Sequence, residues 1–242
     1  MSSRFIVHRS SLPLRVNVAL MLHLGSIRGT TIDVDFNFGF LILLFVILNY
    51  NPAEGVHYAL LWIPILFLSV LIHELAHAGM IGAFGFGSSQ IILGGMGGVT
   101  INRRRARPWQ DLFISVAGPA SSFVLWWLSD WAYDHLAIAR SDKMLAALLP
   151  RMAWANFAWG VFNLIPVPPL DGGHAVRDFF RTFLNERTAF VIAIWIAIVG
   201  GGLIAALLLM ARQWFVALYI AWFVYMAFQQ WQYFRRHGVP GD

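Results

Sequence analysis

Residues 57–84 read HYALLWIPILFLSVLIHELAHAGMIGAF, and the rest of the chain has to be read around this stretch. It stays apolar for longer than the about 20 residues of helix that cross a bilayer core. Deep within it stand His73, Glu74 and His77. Ionisable groups at membrane depth are costly and mark a functional site by default. In a helix, residues four apart share a face. The His73 and His77 imidazoles can therefore reach one metal ion, with Glu74 beside them as a general base on water.

The composition agrees with a membrane setting. Of 242 residues, 59% are hydrophobic, 15% aromatic and 12% charged, whereas soluble domains carry about 25% charged residues. So little charge cannot cover a water-facing surface, and so many aromatics exclude a disordered chain. There is no cysteine, which removes disulfides, thiolate ligands and cysteine nucleophiles together. The net charge of +5 comes from arginine clusters between apolar segments. That is the pattern of orientation signals and not of nucleic-acid binding. No removable signal peptide is visible, so the first span is expected to start insertion.

Six spans are expected, at about 36–51, 57–84, 109–133, 144–167, 189–210 and 214–234. With six, both termini share one side. That side holds Arg4, Arg9, Arg15, Arg28, Arg103, Arg104, Arg105, Arg107, Arg177, Arg181, Arg187, Arg235 and Arg236, against Arg140, Lys143, Arg151 and Arg212 on the other. The bias makes both termini cytoplasmic. Two segments break the helical pattern. Residues 84–101 (FGFGSSQIILGGMGGVTI) are apolar but glycine-dense and end in β-branched residues, so they form a poor helix and are expected as a re-entrant loop or β-hairpin. Residues 22–36 (LHLGSIRGTTIDVDF) alternate in the manner of an interfacial strand pair.

A catalytic zinc takes three protein ligands, and the third must lie at the depth of the histidines. Asp171 and His174, in NLIPVPPLDGGH, follow the fourth span, while Asp111, Asp130, Asp134 and His135 flank the third. The second and fourth spans both run inward, which brings Asp171 to the right depth and sends Asp130, Asp134 and His135 to the opposite face. Asp171 is preferred over His174 because the surrounding prolines and glycines fix a non-helical backbone. Helix capping by Asp171 is the plainer alternative, and the two roles are compatible.

HExxH in a span, followed by Asn163, Pro166, Pro169, Leu170, Asp171 and Gly172 in an NxxPxxPLDG pattern, resembles the site-2 protease family of intramembrane zinc metalloproteases. The resemblance is to a minimal form without a PDZ or CBS domain. It implies one zinc per chain on His73, His77 and Asp171, Glu74 as the base, and Asn163 as a donor to the substrate backbone or its developing oxyanion. The third span departs from the family. It reads Gly118-Pro119-Ala120-Ser121-Ser122, with serine where the family often has asparagine. The glycine-rich 86–101 segment stands where the family has a membrane-embedded β-loop, whose edge would hold an unwound substrate by β-addition.

The expected fold is an all-α polytopic membrane protein of about six transmembrane helices. It carries a membrane-embedded hairpin and a small N-terminal interfacial strand region. One domain over 1–242 divides into an N-terminal cytoplasmic or interfacial segment (1–35), a catalytic core (36–181) and a C-terminal two-helix segment (182–242). The expected activity is regulated intramembrane proteolysis of transmembrane or membrane-associated proteins near the cytoplasmic leaflet. The setting would be a bacterial or archaeal inner membrane, with lipid and a regulatory membrane protein as further partners. A metal transporter or sensor with the same ligands is the alternative. It needs ionisable groups along a path, and the first, fifth and sixth spans supply almost none. A serine mechanism lacks a motif: no Gly-x-Ser-Gly stretch occurs.

Overall fold

The computed structural model describes residues 21–102 and 106–238. The orientation residues Arg4, Arg9, Arg15, Arg103, Arg104 and Arg105 lie outside them. The described residues divide into two compact units, one of residues 21–102 with 117–161, the other of residues 106–116 and 162–238.

The first unit opens on strands β1 (Met21–Ile27) and β2 (Thr30–Asp35), antiparallel with Ile27 opposite Thr30. Arg28 and Gly29 between them both have positive φ, 49° and 83°, as a two-residue turn of the primed kind requires. Helices α1 (Asn37–Leu48), α2 (Val56–Leu60) and α3 (Trp62–Ala83) follow, then the hairpin β3 (Gln90–Gly94) and β4 (Gly97–Ile101). Both expected strand pairs form. They are not separate, however. β2 pairs in parallel with β3, Ile32 opposite Ile91, and makes one sheet of order β1-β2-β3-β4. A parallel pair needs a long crossover, here α1 to α3. Ile32, Ile91 and Leu93 of the sheet pack on Phe38 of α1 and on Val70 and Ala78 of α3. Helix α4 (Pro108–His135) enters this unit at residue 117, followed by α5 (Ala137–Ser141) and most of α6 (Lys143–Asn163). Ala155 of α6 packs with Trp62, Ile65 and Leu66 of α3.

The second unit holds the start of α4, α7 (Asp171–Phe183), α8 (Glu186–Met210) and α9 (Trp214–His237). The Asn185 side chain caps α8 by accepting from the Thr188 amide at 2.9 Å. α8 and α9 bury Phe190, Ile194, Ala197, Ile220 and Phe223 against each other and against Val167 and Leu170. An ion-pair network ties α4, α7 and α8 together. Arg181 meets Asp178 at 2.8 Å, Glu186 at 2.5 Å and Asp111 at 3.7 Å. Arg177 also pairs with Glu186. Burial pushes the Asp178 carboxyl up to about 6, against the Arg181 hydrogen bond that lowers it and with the Asp111 charge that adds to the rise.

Among the described residues, three helical stretches are long and apolar enough to cross a membrane: Val56–Ala83, Pro108–His135 and Glu186–Met210. α8 leaves Trp195, Val199, Leu203 and Leu207 exposed, four apart along one face. Such an unbroken apolar stripe suits lipid rather than water. α1 falls short of the expected first span. Its 12 residues reach only about 18 Å.

Candidate metal centre

α3 is apolar on every side, so its polar groups are tolerable only where a neighbour receives them. His73, Glu74 and His77 are all buried, at 2%, 4% and 5% exposure. One turn apart, the two imidazoles stand edge to face with ring centroids 4.9 Å apart. α4 supplies their receiving surface. A Cβ added at Gly118 would lie 2.3 Å from His77 Nε2 and 2.5 Å from His73 Nε2. Both Nε2 atoms therefore converge on one point beside the glycine. Four residues on, and so on the same helix face, the fully buried Ser122 places Oγ 3.0 Å from His73 Nδ1.

Glu74 is received in a parallel way by β4. A Cβ at Gly98 would come within 2.5 Å of Glu74 Oε1. Thr100, two residues along and on the same strand face, donates its hydroxyl to Glu74 Oε2 at 2.7 Å, with the Glu74 carbonyl as a second acceptor at 3.1 Å. His73 and Glu74 thus each meet a glycine that gives room and a hydroxyl that gives a bond. Sequence reading did not find Gly98 and Thr100, and it noted Ser122 only as a departure. The signal that could have found them is the glycine-hydroxyl spacing, four on a helix and two on a strand.

The remaining predicted residues belong to the other unit. Asn163 ends α6 and is buried. Asp171 is the first residue of α7, with Leu170 at the cap position, and no side chain caps this helix. An acidic residue in the first turn suits the helix dipole. Its place is fixed by Gly172 and Gly173. A Cβ on either would strike backbone, Leu164 O at 2.2 Å or Pro168 N at 2.4 Å. The preceding loop therefore packs directly on the α7 start. His174 follows in the first turn of α7. Of the other candidate ligands, Asp130, Asp134 and His135 are exposed at the end of α4, and Asp111 pairs with Arg181.

The donors fit zinc. Two imidazoles with both Nε2 atoms beside Gly118 supply two of the three nitrogen and carboxylate ligands that a catalytic zinc takes. The comparisons point the same way. Residues 132–209 match the family model "Peptidase family M50". A Mycobacterium tuberculosis relative designated zinc metalloprotease Rip3 is 34% identical over 173 residues, 69% of this chain and 42% of that protein. The zinc metalloprotease MJ0392 of Methanocaldococcus jannaschii is 30% identical over 147 residues, 60% of this chain and 42% of that protein. The chain thus spans about two fifths of the length of these curated relatives. The solved structure of the site-2 protease from Methanocaldococcus jannaschii matches with TM-score 0.61 and 25% identity, over 92% of this chain and 97% of that one. Residues 132–209 are thus similar to peptidase family M50, and the fold of the chain is similar to that of a site-2 protease.

Proposed function

We propose that the chain is an intramembrane zinc endopeptidase, with His73, His77 and Asp171 holding one zinc, Glu74 as the general base and Asn163 as a donor to the substrate. The observation that carries this is the convergence of both Nε2 atoms beside Gly118, in a buried apolar helix, with the Glu74 carboxylate held one residue away. Zinc bound there supplies Lewis-acid chemistry, polarising a peptide carbonyl and acidifying water. The protein's own groups do the rest. Glu74 takes a proton from the attacking water and passes it to the leaving amine nitrogen. Thr100 keeps the carboxylate pointed. The Asn163 amide donates to the carbonyl oxygen as negative charge develops on it.

On this reading residues 1–242 act as one membrane-embedded catalytic domain. Six spans place both termini in the cytoplasm, and the site lies toward the cytoplasmic leaflet of a bacterial or archaeal membrane. The substrate is a transmembrane or membrane-associated protein, unwound before attack, from which a cytoplasmic fragment is released. A regulatory membrane protein controls access. Support for the topology comes from the three apolar helices and from the arginine distribution. The test is cleavage of a candidate membrane substrate in proteoliposomes. Glu74→Gln is expected to retain zinc and lose cleavage, and a fully active Glu74→Gln protein would sink the proposal.

A further inference from the structure

The bond between His73 and Ser122 decides which nitrogen of His73 can act as a ligand. A neutral imidazole has one N–H and one lone pair. The Nε2 atoms of His73 and His77 both face the point beside Gly118. For His73 to ligate there, its Nε2 must be bare and its proton must sit on Nδ1. In a helix interior that N–H needs an acceptor. Ser122 Oγ lies 3.0 Å from Nδ1, and Ser122 has no solvent exposure. The reverse arrangement, with the serine hydroxyl donating to Nδ1, would leave the proton on Nε2 and close the site to metal. The ring has no freedom to choose by turning. The Gly118 backbone faces its Nε2 side, Ser122 holds its Nδ1 side, and His77 and Trp159 stand edge-on at 4.9 and 6.4 Å.

We propose that Ser122 is a positioning residue: its Oγ accepts the Nδ1–H of His73 and holds the imidazole in the tautomer that presents Nε2. This deepens the zinc reading above and rests on it. It also gives a use to the serine found where asparagine might stand, since a short hydroxyl four residues from Gly118 reaches the ring without filling the space Gly118 leaves.

The test uses the full chain in lipid nanodiscs, stripped of metal and labelled with 15N-histidine, with His73 assigned by loss of its signals in His73→Gln. The expected spectrum at alkaline pH shows His73 protonated on Nδ1. Ser122→Ala is expected to move the proton toward Nε2 and to weaken zinc affinity, measured by chelator competition, by about 10–100-fold. Ser122→Thr, which keeps the hydroxyl, restores both. Ser121→Ala is the control for packing, because that hydroxyl bonds its own helix at Gly118 O, 2.7 Å away. It is expected to change neither. A wild-type His73 protonated on Nε2 would overturn the proposal, as would unchanged affinity in Ser122→Ala or an equal loss in Ser121→Ala. Failure of the zinc reading looks different. Zinc would then not bind the wild type, or would bind His73→Gln equally well, while the metal-free spectrum still decides the tautomer.

Discussion

Replacing Gly118 by alanine adds one methyl group against both imidazoles of α3. The new Cβ would lie 2.3 Å from His77 Nε2, 2.5 Å from His73 Nε2 and 2.6 Å from His77 Cε1. Carbon contacts are comfortable at about 3.5–4.0 Å, so the overlap exceeds about 1 Å at three atoms. His73 cannot swing aside without breaking its bond to Ser122. Two effects then oppose each other. Alanine favours a helix interior over glycine by about 0.5–1 kcal/mol, and overpacking a filled core costs about 1–3 kcal/mol. The balance is a net loss of roughly 1–2 kcal/mol in stability. The functional loss is larger. The methyl would force both Nε2 atoms out of place, and two of the three proposed zinc ligands would move with them. The assay pairs zinc content by mass spectrometry with thermal unfolding in one detergent. Gly82→Ala serves as reference. It also lies in a helix, α3, but has nothing within 4 Å of its added Cβ, so it is expected to gain about 0.5–1 kcal/mol and keep zinc. A Gly118→Ala protein that is more stable and still loaded with zinc would refute the convergence of the two imidazoles on this point.

Other substitutions test the remaining contacts. Thr100→Val removes the hydroxyl from Glu74. A hydrogen bond to a charged group contributes about 1.5–3 kcal/mol, so kcat is expected to fall about 10–100-fold with zinc content unchanged; an unaltered kcat argues against any role in aiming the base. Gly172→Ala drives a methyl into the Leu164 carbonyl. It is expected to destabilise by about 3 kcal/mol and to lower zinc content, read by the same two measurements. Asp178 is tested by pH. Its folded carboxyl titrates at about 6 against an ordinary 3.8, so the folded state binds the proton more tightly. Stability is highest below about pH 4 and falls by about 3 kcal/mol as pH rises through 6. Denaturation in Asp178→Asn should lack that decline, and a slope identical to wild type would count against the buried carboxyl as its source.

The histidines and Glu74 were legible because apolar residues surround them and because four-residue spacing has one geometric meaning on a helix. The hairpin was legible from glycine density. The β2–β3 pairing was not, because Ile32 and Ile91 lie far apart in sequence and neither carries a local mark of its partner. Ser122 and Thr100 were missed for a related reason. Hydroxyls are common in such segments, and only a neighbour brought close by tertiary folding gives these two a task. α7 was legible only at its start, through the helix-capping alternative for Asp171, and the structure puts Leu170 at the cap with Asp171 as the first helical residue.

The parallel pairing of β2 with β3 has a consequence for synthesis. Thr30 and its hydrogen-bond partner Ser89 are separated by 59 positions, and a ribosome adding about 5–20 residues per second needs roughly 3–12 s to cover that interval. During this time β2 has β1 on one side and nothing on the other. Glu74 leaves the ribosome before Gly98 and Thr100 exist to frame it. Glu74 therefore waits without its Thr100 partner, and the last strand of the sheet to emerge is the one that brings that hydroxyl to the carboxylate.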